Sequence, residues 1–390
     1  MVLLGRNKYR PPSPILCVAV QNTPTSFHQQ PLFLISLRKN RRLLPLPQVN
    51  KANMPCRPAI SSLSLGLPSI HSLAHRLDQA ARYNLDIELF HDDVLEQAKQ
   101  FSTSSSPGEA QLQAASHIRA LCDARNITIV CLQPFRQYEG LLDRSLHAER
   151  IEETKLWIKL ASILGTNLIG IPSSFLPVEE ASGDIDLIIS DLRELAHLGA
   201  PHGIRFTYEA LAWGTHIDTW EQSWEVVKSV DRPNFGICLD TFNICGRVFA
   251  DPASTTGMTP NAQSAMQESL RRMKAEVDVK KLFWVQVVDA ERLDTPLLPD
   301  RHPFYVKGQP ARMSWSRNCR LFYGEEERGT YLPVKEVLEV IFGDLGFRGC
   351  VSAELFNRSL AETGDNVPKE HAERAKASFA KLAEDFAYAL

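Results

Sequence analysis

The chain is most informative first in what it lacks. No uninterrupted apolar run approaches the roughly 18 residues that a membrane-spanning helix needs, which excludes a helical span. Eight cysteines are spread over 390 residues without a CxxC pair or a Cys/His spacing suited to zinc, and Cys131, Cys238 and Cys350 sit inside apolar, strand-like runs. That distribution reads as buried reduced thiols of a cytoplasmic protein rather than a disulfide framework. Residues 1 to 53 contain no Asp or Glu at all. Their eight Lys and Arg aside, the rest carries 35 basic against 46 acidic residues, a net charge of −11. An acidic body argues against a nucleic-acid partner, which would require a dense basic surface to neutralise phosphates.

What is present is ordinary globular composition, 44% hydrophobic and 23% charged. The first 53 residues hold seven prolines and show neither a helical nor a strand period. They are basic like an import presequence, yet the prolines oppose the amphipathic helix such a segment forms. They read as a disordered or non-native extension, with the domain spanning residues 54–390. The expected localisation is cytoplasmic, with mitochondrial import the lesser alternative, and self-association is left open.

From Met54 onward short apolar runs alternate with helical ones. The runs are Ala59–Leu65, Leu85–Phe90, Ile127–Gln133, Asn167–Ile171, Ile204–Glu209, Phe235–Asp240, Leu282–Val288 and Cys350–Phe356. Helix-period segments between them include Glu149–Leu164, Ile185–Leu198, Trp220–Val230, Ala262–Val277 and Val334–Phe342. Eight strands each followed by a helix predict a single (β/α)8 TIM barrel, although an open doubly wound sheet shares the alternation. Two connections exceed what a barrel needs. They are Gly246–Gln263 and the forty-residue stretch Ala290–Thr330, which shows no convincing helix; both follow strand C-termini, the catalytic face of a barrel.

Polar residues that end apolar barrel strands point into the mouth. Glu209, Asp240, Gln286 and Glu354 occupy such positions on the fifth to eighth strands. Three carboxylates brought that close repel, and a divalent cation is the simplest way to keep them ionised together. Oxygen ligands suit Mg²⁺, Mn²⁺ or Co²⁺. For each residue alone, the plain alternative is a strand-end side chain satisfied by backbone or water. Arg136 follows the third strand among apolar neighbours, and further arginines lie in Gly308–Arg320. Such loop arginines suit a substrate carboxylate, which a guanidinium grips with two hydrogen bonds, although surface ion pairs with Glu325–Glu327 would also occupy them. His216, close in sequence to Glu209, is a candidate general base, against the plainer reading of a surface histidine flanking the next helix.

These residues fall in segments that resemble the 3-dehydroshikimate dehydratases of fungal quinate catabolism, within the sugar-phosphate isomerase/AP-endonuclease-like barrel superfamily. The resemblance runs from Met54 to the C-terminus. It is carried by Ile60–Gly66, Gln133-Pro134-Phe135-Arg136 with Tyr138-Glu139-Gly140, Tyr208–Gly214, Leu239-Asp240-Thr241-Phe242-Asn243, Val285–Ala290 and Ser314-Trp315-Ser316-Arg317. It implies a metal-dependent lyase that converts 3-dehydroshikimate to protocatechuate, with Glu209, Asp240, Gln286 and Glu354 as metal ligands. It also implies that Arg136, Ser316, Arg317 and Arg320 contact substrate. Two positions depart from the wider pattern: Gln286 stands where many relatives in the superfamily have histidine, and Asn243 where bacterial dehydratases tend to have one. The general base is therefore sought at His216 or Glu139. A sugar isomerase or epimerase on the same barrel, or a barrel that senses a metabolite without turning it over, are the competing functions.

Overall fold

A computed structural model describes residues 57–101 and 106–386. The expected extension, residues 1 to 53, lies outside the described residues. Eight parallel strands close into a barrel in strict chain order: β1 Arg57–Ser61, β2 Asp86–Phe90, β3 Ile129–Gln133, β4 Leu168–Pro172, β5 Arg205–Glu209, β6 Phe235–Asp240, β7 Leu282–Gln286 and β8 Cys350–Ala353. The closed barrel rules out the open sheet. β8 pairs with both β1 and β7, so no strand edge is left exposed.

Side-chain alternation along the strands explains why this sequence closes. Ile169 and Ile171, Phe206 and Tyr208, Ile237 and Leu239, and Val351 and Ala353 face outward into the layer beneath the surrounding helices. The inward set is different in kind. Cys131, Leu168, Cys238 and Trp284 form a small separate apolar cluster, and polar side chains follow towards the C-terminal ends of the strands. Cys131 and Cys238 are buried free thiols, as their apolar runs predicted, and so are Cys122, Cys245 and Cys319, whereas Cys350, at the start of its strand, is only partly buried. Among the described residues no helix is long and apolar enough to cross a membrane.

Most expected helices form close to their predicted bounds, including Arg144–Leu164, Ile185–Gly199, Trp220–Val230 and Ala262–Glu276. Three segments differ. The first run stops as a strand at Ser61 and turns into the 3-10 helix Ser62–Leu65. Its alternating serines serve as rim contacts, Ser62 Oγ accepting from Phe90 N–H (3.0 Å) and Ser64 Oγ donating to Leu355 O (3.0 Å). The loop after β6 begins later than expected, because Thr241–Val248 is a helix that starts directly from the strand. The long segment after β7 contains a nine-residue helix, Ala311–Cys319, followed by Arg320–Leu321, which pairs antiparallel with Asp289–Ala290. That helix buries Met313, Ser314, Trp315, Ser316, Asn318 and Cys319, on nearly all sides, so it has no apolar stripe to reveal it in the sequence.

Arg76 and Asp93 form a wholly buried ion pair between the helices Leu73–Arg82 and His91–Ala98, and Arg76 Nη1 also donates to Ser62 O (2.8 Å). The pair thus clamps the end of β1 to the segment beyond β2. Removing one member leaves an uncompensated buried charge. Asp93→Ala is expected to lower stability by about 3–5 kcal/mol, read as a shift in the urea unfolding midpoint at unchanged slope.

Candidate active site

The C-terminal ends of β5 to β8 deliver the acidic cluster. Glu209, Asp240 and Gln286 are the last residues of β5, β6 and β7, and Glu354 immediately follows β8. Asp240 and Gln286 are partners in the β6–β7 register. One carboxylate oxygen from each of Glu209, Asp240 and Glu354 lies within 4.8 Å of the others, and all three side chains are buried. The structure thus brings together the three carboxylates that the sequence places at strand ends.

Asp240 is fixed by local chain geometry. It caps the helix Thr241–Val248, its Oδ1 accepting from Phe242 N–H (2.7 Å) and Asn243 N–H (3.4 Å). That leaves Oδ2 for the cluster, where it accepts from Asn243 Nδ2 (3.0 Å) and Arg320 Nη1 (2.8 Å). Asn243 Nδ2 also donates to Glu209 Oε1 (2.6 Å), while its Oδ1 accepts from Ala212 N–H (3.0 Å). An amide serves here as a bridge between two carboxylates and a backbone donor. Glu354 Oε1 accepts from Gln133 Nε2 (2.7 Å) and Oε2 from Arg320 Nη1 (2.9 Å).

Burial and mutual repulsion set the electrostatics. Burial, then the charges of Asp240 and Glu354, push the Glu209 carboxyl well above its ordinary pKa. Burial raises Glu354 to about 7, against the opposing pull of Arg320. Two unit charges about 4 Å apart at an effective dielectric of about 20 repel by about 4 kcal/mol, so three ionised carboxylates carry repulsion on the order of 10 kcal/mol. Arg320 offsets part of it. Its guanidinium, 1% exposed, bonds Asp240 and Glu354 and lies over the Phe242 ring at 4.4 Å. Three anions against one fixed cation fit a further divalent cation with oxygen donors from Glu209, Asp240 and Glu354, whereas Gln286, the fourth expected ligand, gives its Nε2 to Glu88 (2.7 Å) and its Oε1 accepts from Cys238 Sγ (3.5 Å).

Glu209, Glu354 and Arg320 line a cleft that opens to solvent, and Asp240 and Gln286 are not part of its lining. Arg136, Ser316, Arg317 and Arg320 all line it, as expected, together with Phe90, Phe175, Trp213, Met313 and Phe356. Arg317 Nη1 donates to Gln309 Oε1 (2.5 Å), and Ser316 Oγ accepts from Arg320 Nε (3.0 Å). Arg136 differs from these. Its guanidinium makes no hydrogen bond with the described residues, and burial draws its pKa down against the pull of Asp92 and Glu354. A partly buried guanidinium that faces a cleft with no hydrogen bond to the described residues has the chemistry to meet an anion.

The two candidate bases are not brought to the cleft. His216 Nε2 bonds to Ala181 O (3.0 Å), because Leu211 and Trp213 use the cleft wall and the chain then leaves the rim. Glu139 lies behind β5, on its outward side. Its Oε1 accepts from Ser174 N–H (2.7 Å) and the Tyr208 hydroxyl (3.0 Å), and Oε2 is buried without a partner. Sequence reasoning missed Gln133, which reaches Glu354, and Glu88, wholly buried inside the barrel, where burial and Glu354 raise its pKa well above the ordinary value. The alternation Asp86-Ile87-Glu88-Leu89 was the available signal, since it puts an acid on the inward face of β2.

Burial raises the Glu139 pKa to about 7. With the folded value above the unfolded one, its stability contribution is full at acid pH and is lost as pH rises through about 7. Glu139→Gln is therefore expected to gain on the order of 2 kcal/mol over the wild type between pH 5 and pH 8. Urea unfolding of both proteins at the two pH values measures it.

Comparison with known proteins agrees with this geometry. A family model described as xylose isomerase-like TIM barrel matches residues 77–383. The chain is 54% identical over 341 residues to the 3-dehydroshikimate dehydratase of Neurospora crassa, covering 85% of this chain and 95% of that protein. It is 30% identical over 290 residues to the 3-dehydroshikimate dehydratase of Pseudomonas aeruginosa, covering 73% of this chain and 36% of that longer protein. Among solved structures, the IolI protein with a bound zinc atom superposes with a TM-score of 0.60 at 18% identity, over 86% of this chain and 99% of that one, a likeness of fold. The chain belongs to the xylose isomerase-like TIM-barrel family and, within it, to the 3-dehydroshikimate dehydratases.

Proposed function

We propose that this protein is a divalent-metal-dependent hydro-lyase that converts 3-dehydroshikimate to protocatechuate. The observation that carries the reading is the pairing, in one cleft, of a buried three-carboxylate cluster with the unbonded guanidinium of Arg136. The 54% identity to the Neurospora crassa dehydratase supplies the substrate. A sugar has no carboxylate to meet Arg136, which disfavours the isomerase alternative.

In this reading Arg136 binds the substrate carboxylate, with Arg317 beside it, and fixes which end of the ring enters first. Phe90, Phe175, Trp213 and Phe356 form an apolar wall suited to a flat ring and to excluding water. Glu209, Asp240, Gln286 and Glu354 would hold Mg²⁺, Mn²⁺ or Co²⁺ at the floor. A cation bound there supplies Lewis-acid polarisation of the substrate ketone, which acidifies the neighbouring carbon before the β-hydroxyl leaves. Arg320 keeps Asp240 and Glu354 in place, and Ser316 keeps Arg320 in place, so both act on substrate through the floor. The reading also assigns the protein to the cytoplasm, in keeping with its buried free thiols, with a small-molecule substrate and neither nucleic acid nor membrane as partner.

The test is to strip the protein of metal, add 3-dehydroshikimate, restore each cation in turn, and follow the ultraviolet absorbance of the aromatic product. Absorbance that grows only after metal is restored supports the reading; none with any cation, from folded protein that binds one, overturns it. Glu354→Ala is expected to abolish turnover, whereas a metabolite sensor would keep its ligand affinity in that variant, measured by calorimetry. Arg136→Met is expected to raise KM by roughly 10- to 100-fold, the equivalent of about 1.5–3 kcal/mol for a charged hydrogen bond, with a smaller change in kcat.

A further inference from the structure

One buried carboxylate has no role in the chemistry above. Glu88 sits inside the barrel on β2, in register with Ser61 of β1 and Cys131 of β3, and is 0% exposed. No cation bonds it. Buried acids must be held by hydrogen-bond donors, and here the donors are two amides. Gln286 Nε2 donates to Glu88 Oε1 (2.7 Å), and Gln133 Nε2 donates to the same oxygen. The other oxygen, Oε2, is buried and without a partner.

Both amides sit on strand ends beside the carboxylate cluster. Gln286 ends β7 opposite Asp240, and Gln133 Nε2 also donates to Glu354 Oε1 (2.7 Å). A glutamine can present either its oxygen or its nitrogen to a site, and only the oxygen ligates a cation. Glu88 Oε1 is an acceptor, so it captures the nitrogen end of Gln286 and turns the oxygen away, to the β6 side, where it accepts from Cys238 Sγ (3.5 Å). The same acceptor captures the nitrogen of Gln133 and holds it beside Glu354. Gly170 gives this arrangement its room, because a Cβ there would lie 2.9 Å from Gln133 Cβ.

We propose that Glu88 is a positioning residue, which fixes the amide orientation of Gln286 and Gln133 so that Gln286 offers its carbonyl oxygen to the cation and Gln133 its N–H to Glu354. The inference rests on the metal reading given above. Partners that orient a metal ligand in this way typically change metal affinity by roughly 10- to 100-fold when removed.

Its test is Mn²⁺ binding, by calorimetry and by loss of the free-ion electron paramagnetic resonance signal, to four full-length proteins: wild type, E354A, E88Q and E88L. Glutamine at this position keeps a carbonyl acceptor where Oε1 stands, so E88Q is expected to bind within about threefold of wild type. Leucine removes the acceptor while filling the space, so E88L is expected to bind roughly 10- to 100-fold more weakly. Wild-type affinity in folded E88L, with binding lost in E354A, overturns the role of Glu88 and leaves the metal site standing. Tenfold weaker binding in folded E88Q also overturns it, because charge and not acceptor geometry would then matter, and this arm does not depend on E88L folding. A wild-type protein that binds no Mn²⁺, or an E354A that binds as well as wild type, defeats the metal reading first.

Discussion

Repulsion between buried carboxylates is the constraint around which this barrel mouth is organised. Glu209, Asp240 and Glu354 cannot all be ionised in a dry site without positive charge close by, and the surrounding residues answer that demand by direct contact. Arg320 bonds two of the three, Asn243 bridges two with one amide, and Gln133 reaches the third. Each of these partners is itself immobilised: Arg320 between the Phe242 and Phe356 rings, Asn243 by Ala212 N–H, and Gln133 by Glu88. The result is a pre-organised negative floor with fixed geometry, suited to receive a cation without rearrangement.

The floor and the wall of the cleft come from different parts of the fold. The floor is built on strand ends, where backbone pairing to both neighbours leaves little freedom. The wall comes from the connections after β3, β4, β5, β7 and β8, which supply Arg136, Phe175, Trp213, Arg317 and Phe356. The longest of them is tied down: Arg320 N–H donates to Phe356 O (3.0 Å), and Asn357 Nδ2 donates to Arg320 O (2.9 Å). The Ala311–Cys319 helix is therefore docked on the β8 connection as a fixed side of the cleft. Wall and floor thus rest on separate structural layers, in keeping with a barrel fold whose members share a scaffold and differ at the rim.

How much of this could be read in the sequence follows from what periodicity encodes. The strands were legible because outward apolar residues recur at every second position, and the three clustered carboxylates because a polar residue that ends such a run in a parallel barrel faces the mouth. The Ala311–Cys319 helix was not legible, since its burial is not confined to one face. His216 was misleading for a related reason. Proximity to Glu209 along the chain says nothing about direction once the strand has ended, and the loop carries the ring to Ala181 O instead. Glu88 was overlooked although its strand was identified correctly. Attention to strand ends finds groups that meet substrate, and Glu88 lies deeper, where a polar side chain can act only through its neighbours.

Asp240 uses one oxygen to start a helix and the other to complete the carboxylate cluster. Selection for folding and selection for chemistry therefore act on the same side chain. A lineage that abandons the reaction still keeps an aspartate or asparagine there to begin the helix, whereas Glu209 and Glu354, which cap nothing, are free to drift. Decayed copies of this barrel should thus betray their loss of activity at the two glutamates long before the aspartate changes.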